Sequence, residues 1–160
     1  MKTTHLYQKE VTLQADRRQI SAELIKIISD LWYEKSIEIV LFRNQLIDKN
    51  VSEILNLHEY AGAFVGKPIS IFNSIDIARA LSEIQLPPSK LDIGKLTYEF
   101  GLEEDKYPSA RYFVMEKLKK AKSSKEINPK DVVLYGFGRI GRLLARELVS
   151  KTGKKTTQLH

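Results

Sequence analysis

Near the C-terminus, the apolar run Asp131-Val-Val-Leu-Tyr135 feeds into Gly136, Gly138 and Gly141 at G-x-G-x-x-G spacing. Leu143, Leu144, Leu148 and Val149 follow at helical steps, so the stretch predicts strand, tight turn and helix. In such a unit the first glycine permits the turn, the second lets an anion approach the backbone, and the third lets helix and strand pack closely. Free N–H groups at the helix N-terminus, with the helix dipole behind them, are suited to a pyrophosphate. The spacing alone also fits an ordinary strand-to-helix connection whose glycines serve only backbone conformation.

A complete dinucleotide fold needs a second strand ending in an acidic residue about 20 positions past the glycines. Counting that far from Gly141 runs beyond His160, and the tail from Gly153 has one clearly apolar residue, Leu159. The sheet is therefore expected to stop after its first strand. One parallel strand leaves its edges unsatisfied, which predicts that this piece is frayed, packed against the preceding residues, or paired with another chain.

Those preceding residues read as helices. A chain of 160 residues with 42% hydrophobic content supports one good core plus an appendage. Leu13, Ile20, Leu24, Ile27, Ile28 and Leu31 mark an amphipathic helix from Glu10 to about Tyr33. Arg17 and Arg18 fall on its polar face, where solvation explains them without a phosphate or partner. Ile37 to Phe42 alternates like a strand yet is filled like a buried helix, and it is assigned to helix because no turn signal follows. Asn50 with Glu53 reads as a capping box opening a helix along Val51, Ile54, Leu55, His58 and Ala61. His58, with no cysteine or second histidine near it, reads as a packed imidazole rather than a metal ligand.

Gly66-Lys67-Pro68 ends that helix, and Pro68 to Phe72 is expected to be extended. Asn73 or Ser74 should cap a helix with Ile77, Ala78, Leu81 and Ile84 inward, and Ser89 another through Leu91, Leu96 and Tyr98. Glu103-Glu-Asp105 lacks the ligand pattern of a calcium loop and reads as a solvated turn. Pro108 suits the first turn of a helix over 109–121, whose C-terminal lysines complement the dipole. Ser123 to Pro129 is a polar linker, which sets the boundary between residues 1–124 and 125–160.

Composition narrows the chemistry. The chain has no cysteine, so it holds no disulfide, thiolate nucleophile or thiolate metal site. Its formal charge of +6 is uneven: residues 1–124 carry a net +1 and residues 125–160 a net +5. The larger part thus shows no basic stripe for nucleic acid, and the excess lies beside the glycine turn. No run is long enough to span a membrane, and the N-terminus lacks a signal-peptide pattern, so a cytoplasmic protein is expected.

Taken as a string, Gly136-Phe-Gly-Arg-Ile-Gly-Arg142 resembles the nucleotide-binding signature of glyceraldehyde-3-phosphate dehydrogenases, matching it at all seven residues. Tyr135 departs from that family, which usually carries Asn there. Residues 1–124, through Leu41-Phe-Arg-Asn-Gln-Leu-Ile47 and Leu55-Asn-Leu-His-Glu-Tyr60, more loosely resemble the helical N-terminal extension of a long bacterial form. The dehydrogenase proper would then begin at about Lys130.

The resemblance implies a mainly α chain: a helical N-terminal domain over 1–124, then a truncated Rossmann β-α unit over 125–160. It implies NAD as the cofactor of the complete enzyme, with Gly136, Phe137, Gly138, Arg139, Ile140 and Gly141 as its pyrophosphate turn. The family's chemistry uses a cysteine thiolate, so this chain alone is expected to be inactive, with no catalytic residue and no metal ligand. Its partners would be the remainder of the dehydrogenase or another subunit, in a homo-oligomer. The alternative is a stand-alone helical interaction module with a vestigial glycine turn.

Overall fold

The computed structural model describes residues 2–119 and 132–150. Helix α1 (Lys2–Lys35) runs into strand β1 (Ile37–Leu41), which turns back into β2 (Asn44–Gln45). Helices α2 (Val51–Val65) and α3 (Ile71–Glu83) lead to β3 (Ser89–Asp92), followed by α4 (Ile93–Glu103) and α5 (Ala110–Lys117). Helix α6 (Arg139–Ser150) follows the glycine turn. The chain is mainly α, with one small mixed sheet in the order β2-β1-β3.

That sheet corrects the helical assignment of Ile37 to Phe42. β1 lies at its centre, antiparallel to β2 and parallel to β3, with Ile37 opposite Ser89 and Val40 opposite Asp92. Ile37, Ile39, Val40 and Leu41 are all buried, as expected of a strand covered on both faces. The connection to β2 turns on Phe42 (φ 45°) and Arg43 (φ 75°), both left-handed, as a tight hairpin requires. Neither is a glycine or asparagine, so the turn carried no ordinary signal.

The same pairing corrects the residues after Pro88. Ser89 begins β3 rather than capping a helix, and Asp92 is the cap of α4. The Asp92 carboxylate accepts from the Lys95 backbone N–H at 3.1 Å and from the Phe42 N–H at 2.9 Å, tying the hairpin turn to the start of α4. Gly94 lets the two approach: a Cβ there would lie 2.6 Å from the Phe42 ring.

The capping box of α2 is present, with Glu53 N–H donating to Asn50 Oδ1 at 3.0 Å and Asn50 N–H to Glu53 Oε2 at 2.9 Å. Gly66 ends that helix in the left-handed region at φ 69°. Helix α3 begins earlier than expected, at Ile71, because Ser70 caps it through the Asn73 N–H. The extended stretch is thus shorter than Pro68 to Phe72. α3 is the central helix, with Ile71, Ile75, Ile77, Ala78, Ala80 and Leu81 buried and α1, α4 and α5 packed around it.

Leu24, Ile28 and Leu31 of α1 enter this core, while Leu6, Tyr7 and Val11 near its start are exposed. α5 is shorter than predicted, with Ser109 rather than Pro108 flanking its start, and it seats Phe113 5.3 Å from the rings of both Phe100 and Tyr107. The acidic cluster forms a single 3-10 turn over Glu104–Lys106, and Glu103 faces Lys117 at 3.3 Å. The lysines at 120 and 122, the linker at 123–129, Asp131 and the tail beyond Ser150 lie outside the described residues.

Candidate functional site

The turn at Gly136 and the helix start after Gly138 are present, while the strand expected before them does not form over residues 132–135. Gly136 sits at φ 94°, a conformation L side chains rarely adopt. Gly141 faces the Gly136 carbonyl so closely that a Cβ on Gly141 would collide with it. This contact folds the first turn of α6 back over the loop. At Gly138 a Cβ would meet nothing within 4 Å, so the backbone there is open to an approaching ligand.

The first helical bond of α6 runs from the Arg142 N–H to the Gly138 carbonyl at 3.0 Å. The N–H groups of Arg139, Ile140 and Gly141 precede the intrahelical ladder, and Gly138 has no side chain with which to cap them. Arg139, Arg142 and Arg146 are exposed nearby. The sequence-predicted residues Gly136, Phe137, Gly138, Arg139, Ile140 and Gly141 therefore form a contiguous turn and first helical residues with uncapped N–H groups and positive charge. An arrangement of this kind suits a phosphate-bearing anion.

The apolar side of the unit is uncovered. Phe137, Ile140, Leu143, Leu144 and Val149 are all exposed, and α6 buries no residue. Val133 is 88% exposed, and among the described residues Val132 to Tyr135 joins no ladder. The strand-to-be thus lacks the neighbours that would make it a strand.

A second polar group lies inside the helical segment, where sequence reading saw only a packed imidazole. His58 Nδ1 lies 2.8 Å from the Ile54 carbonyl, Nε2 lies 3.0 Å from Ser74 Oγ, and Ser74 Oγ lies 3.2 Å from Thr97 Oγ1. Because a carbonyl only accepts, Nδ1 carries the proton of the neutral ring, and Nε2 accepts from the Ser74 hydroxyl. Burial pushes the His58 pKa below its ordinary value, partly countered by the Ile54 hydrogen bond. Despite its histidine–serine pair, this chain of bonds is no nucleophile site, since Ser74 is 0% exposed. It pins α2, α3 and α4 together.

Among the described residues no group of three or more His, Asp or Glu side chains is placed to hold a metal, and no helix is long and apolar enough to cross a membrane.

The fold and turn together define a mainly helical segment followed by a glycine turn and a helix whose first N–H groups are uncapped. No protein-family model matches the chain. It is 33% identical over 135 residues to a curated protein of Pseudomonas aeruginosa (strain UCBPP-PA14) described as a glyceraldehyde-3-phosphate dehydrogenase-like protein. The match covers 81% of this chain, which spans 29% of the length of that relative. Residues 125–160 number only 36, so a match of this length must take in most of residues 1–124.

Proposed function

We propose that this chain is part of an NAD-dependent, phosphorylating glyceraldehyde-3-phosphate dehydrogenase and contributes its pyrophosphate-binding turn. The observation that carries the reading is the loop itself: Gly136 left-handed, Gly141 against the Gly136 carbonyl, and Gly138 open beside uncapped N–H groups. The 33% identity to a dehydrogenase-like protein supports the same reading. Bound NAD would supply the hydride acceptor. The N–H groups of Arg139, Ile140 and Gly141 would hold the pyrophosphate, with Arg139 and Arg142 adding positive charge.

In this reading residues 1–124 are a helical domain and residues 125–160 the start of a Rossmann domain. The exposed face of α6 is covered by the remainder of the dehydrogenase, and the helical domain contacts that core or a neighbouring subunit of a homo-oligomer. The chain has no cysteine, so the thiolate of the reaction comes from outside these residues.

Calorimetric titration of the 160-residue chain with NAD tests the division of the site. Weak or absent binding is expected, because the groups that hold the ribose and enclose the adenine are not among these residues; micromolar affinity would overturn it. The DNA after the codon for His160 tests the parent enzyme. A frame encoding an apolar strand, an acidic residue and later a cysteine is expected, and a long intergenic gap would sink the proposal.

A further inference from the structure

Among the lysines and arginines of described burial, Arg17, Lys35 and Lys49 are partly shielded from solvent. Lys35 Nζ donates to the carbonyls of Ser82 and Ile84, and Lys49 Nζ pairs with Glu53 at 3.0 Å. The Arg17 guanidinium has neither a carboxylate nor a hydrogen-bond acceptor among the described residues. Its nitrogens are not among the buried side-chain atoms without a partner, so the planar fork stays accessible to a ligand from outside the chain.

Arg17 lines a cleft of about 850 Å³ formed by α1, α2 and the segment from Gly66 to Phe72. That volume falls within the range of small-molecule sites, roughly 300–1,000 Å³. Lys67 adds a second positive charge, Asn56 an amide, and Ile69 and Phe72 an apolar wall. The Ser70 oxygen already accepts from the Asn73 N–H at 3.4 Å, which leaves its hydroxyl proton free to donate. Glu59 lines the same cleft yet forms no ion pair with Arg17 or Lys67.

We propose that this cleft binds a small metabolite bearing one oxyanion group, phosphate or carboxylate, on a hydroxylated carbon skeleton. Arg17 grips the oxyanion through its planar fork, which matches both groups. Lys67 and the Ser70 hydroxyl complete the charged end, and the skeleton lies on Ile69 and Phe72. Glu59 accepts from a ligand hydroxyl and repels a second anionic group, which restricts the site to ligands with a single one. The site belongs to the helical segment and does not depend on the reading of the glycine turn.

Titration calorimetry of the 160-residue chain at low ionic strength, with inorganic phosphate and with glycerate, a hydroxylated monocarboxylate, as probes, tests this. Saturable binding of at least one probe is expected, and which one binds better separates a phosphate ligand from a carboxylate. Arg17→Gln should weaken it about tenfold, the loss of one charge-assisted hydrogen bond. Arg18→Gln, which removes the exposed neighbour, should leave it unchanged, and Glu59→Gln should tighten it. Circular dichroism checks the fold of each variant; if Arg17→Gln is unfolded, Arg17→Lys replaces it and should weaken binding several-fold. Failure of both probes to saturate, or an equal loss in the Arg18 variant, would overturn the proposal.

Discussion

Replacing Ser74 by alanine removes the middle of the bonded chain that joins three helices. The Ser74 hydroxyl donates to His58 Nε2 at 3.0 Å and accepts from Thr97 at 3.2 Å, with His58 5% and Thr97 2% exposed. Without it the largely buried imidazole acceptor loses its donor, and a buried polar group left unmade costs about 1–3 kcal/mol. The Thr97 hydroxyl can turn to a carbonyl of its own helix, so it adds little. A loss of about 2 kcal/mol is expected, which for a chain of this size lowers Tm by about 4–8 °C. Thr97→Val spares the Ser74–His58 bond and should cost about 1 kcal/mol. Urea and thermal unfolding at about pH 7.5, above the ordinary histidine range, would measure both. A Ser74→Ala variant within about 0.5 kcal/mol of the parent, the scatter of an innocuous surface change, would refute this account, as would a larger cost for Thr97→Val.

The depressed His58 pKa makes stability depend on pH in a defined direction. The unfolded chain binds the proton more readily, so the contribution is whole above about pH 6.5 and falls on acidification toward the lower folded value, by at most about 1.4 kcal/mol per pH unit. His58→Gln should flatten that slope in urea midpoints taken from neutral to mildly acid pH, and an unchanged slope would assign it elsewhere. Asp92→Ala removes the acceptor of two backbone N–H groups, one of them on left-handed Phe42, and should cost about 1–2 kcal/mol. Asp92→Asn should restore most of that loss in the same unfolding assay; equal damage from both variants would show that the carboxylate charge, not the acceptor, matters.

Legibility followed the range of the interactions. Asn50 and Glu53 were readable because a capping box closes within four residues. The glycine turn was readable because Gly136 and Gly141 meet each other locally. Ile37 to Phe42 was misread because its state is decided by Ser89–Asp92, and no local period carries that information. Ser74 was taken for a helix cap, although it sits between Ile71, Ile75 and Ile77 on the buried stripe, where a hydroxyl needs an internal partner. The cleft beside Arg17 was not legible either, because it is made by residues distant in sequence. Only when the segment after Gly66 folds beside α1 does the guanidinium line a cleft.

The parallel pairing of β1 with β3 also sets an order of assembly. Its partners stand 52 positions apart, so a large loop must close before the central strand gains its second neighbour. The short hairpin with β2 has no such delay, and hairpins form in roughly 1–10 μs. During synthesis, β1 therefore leaves the ribosome with one edge open and stays so until Asp92 has followed. A nascent chain arrested before that residue should be sensitive to protease across Ile37–Leu41, and one arrested well beyond it should be protected.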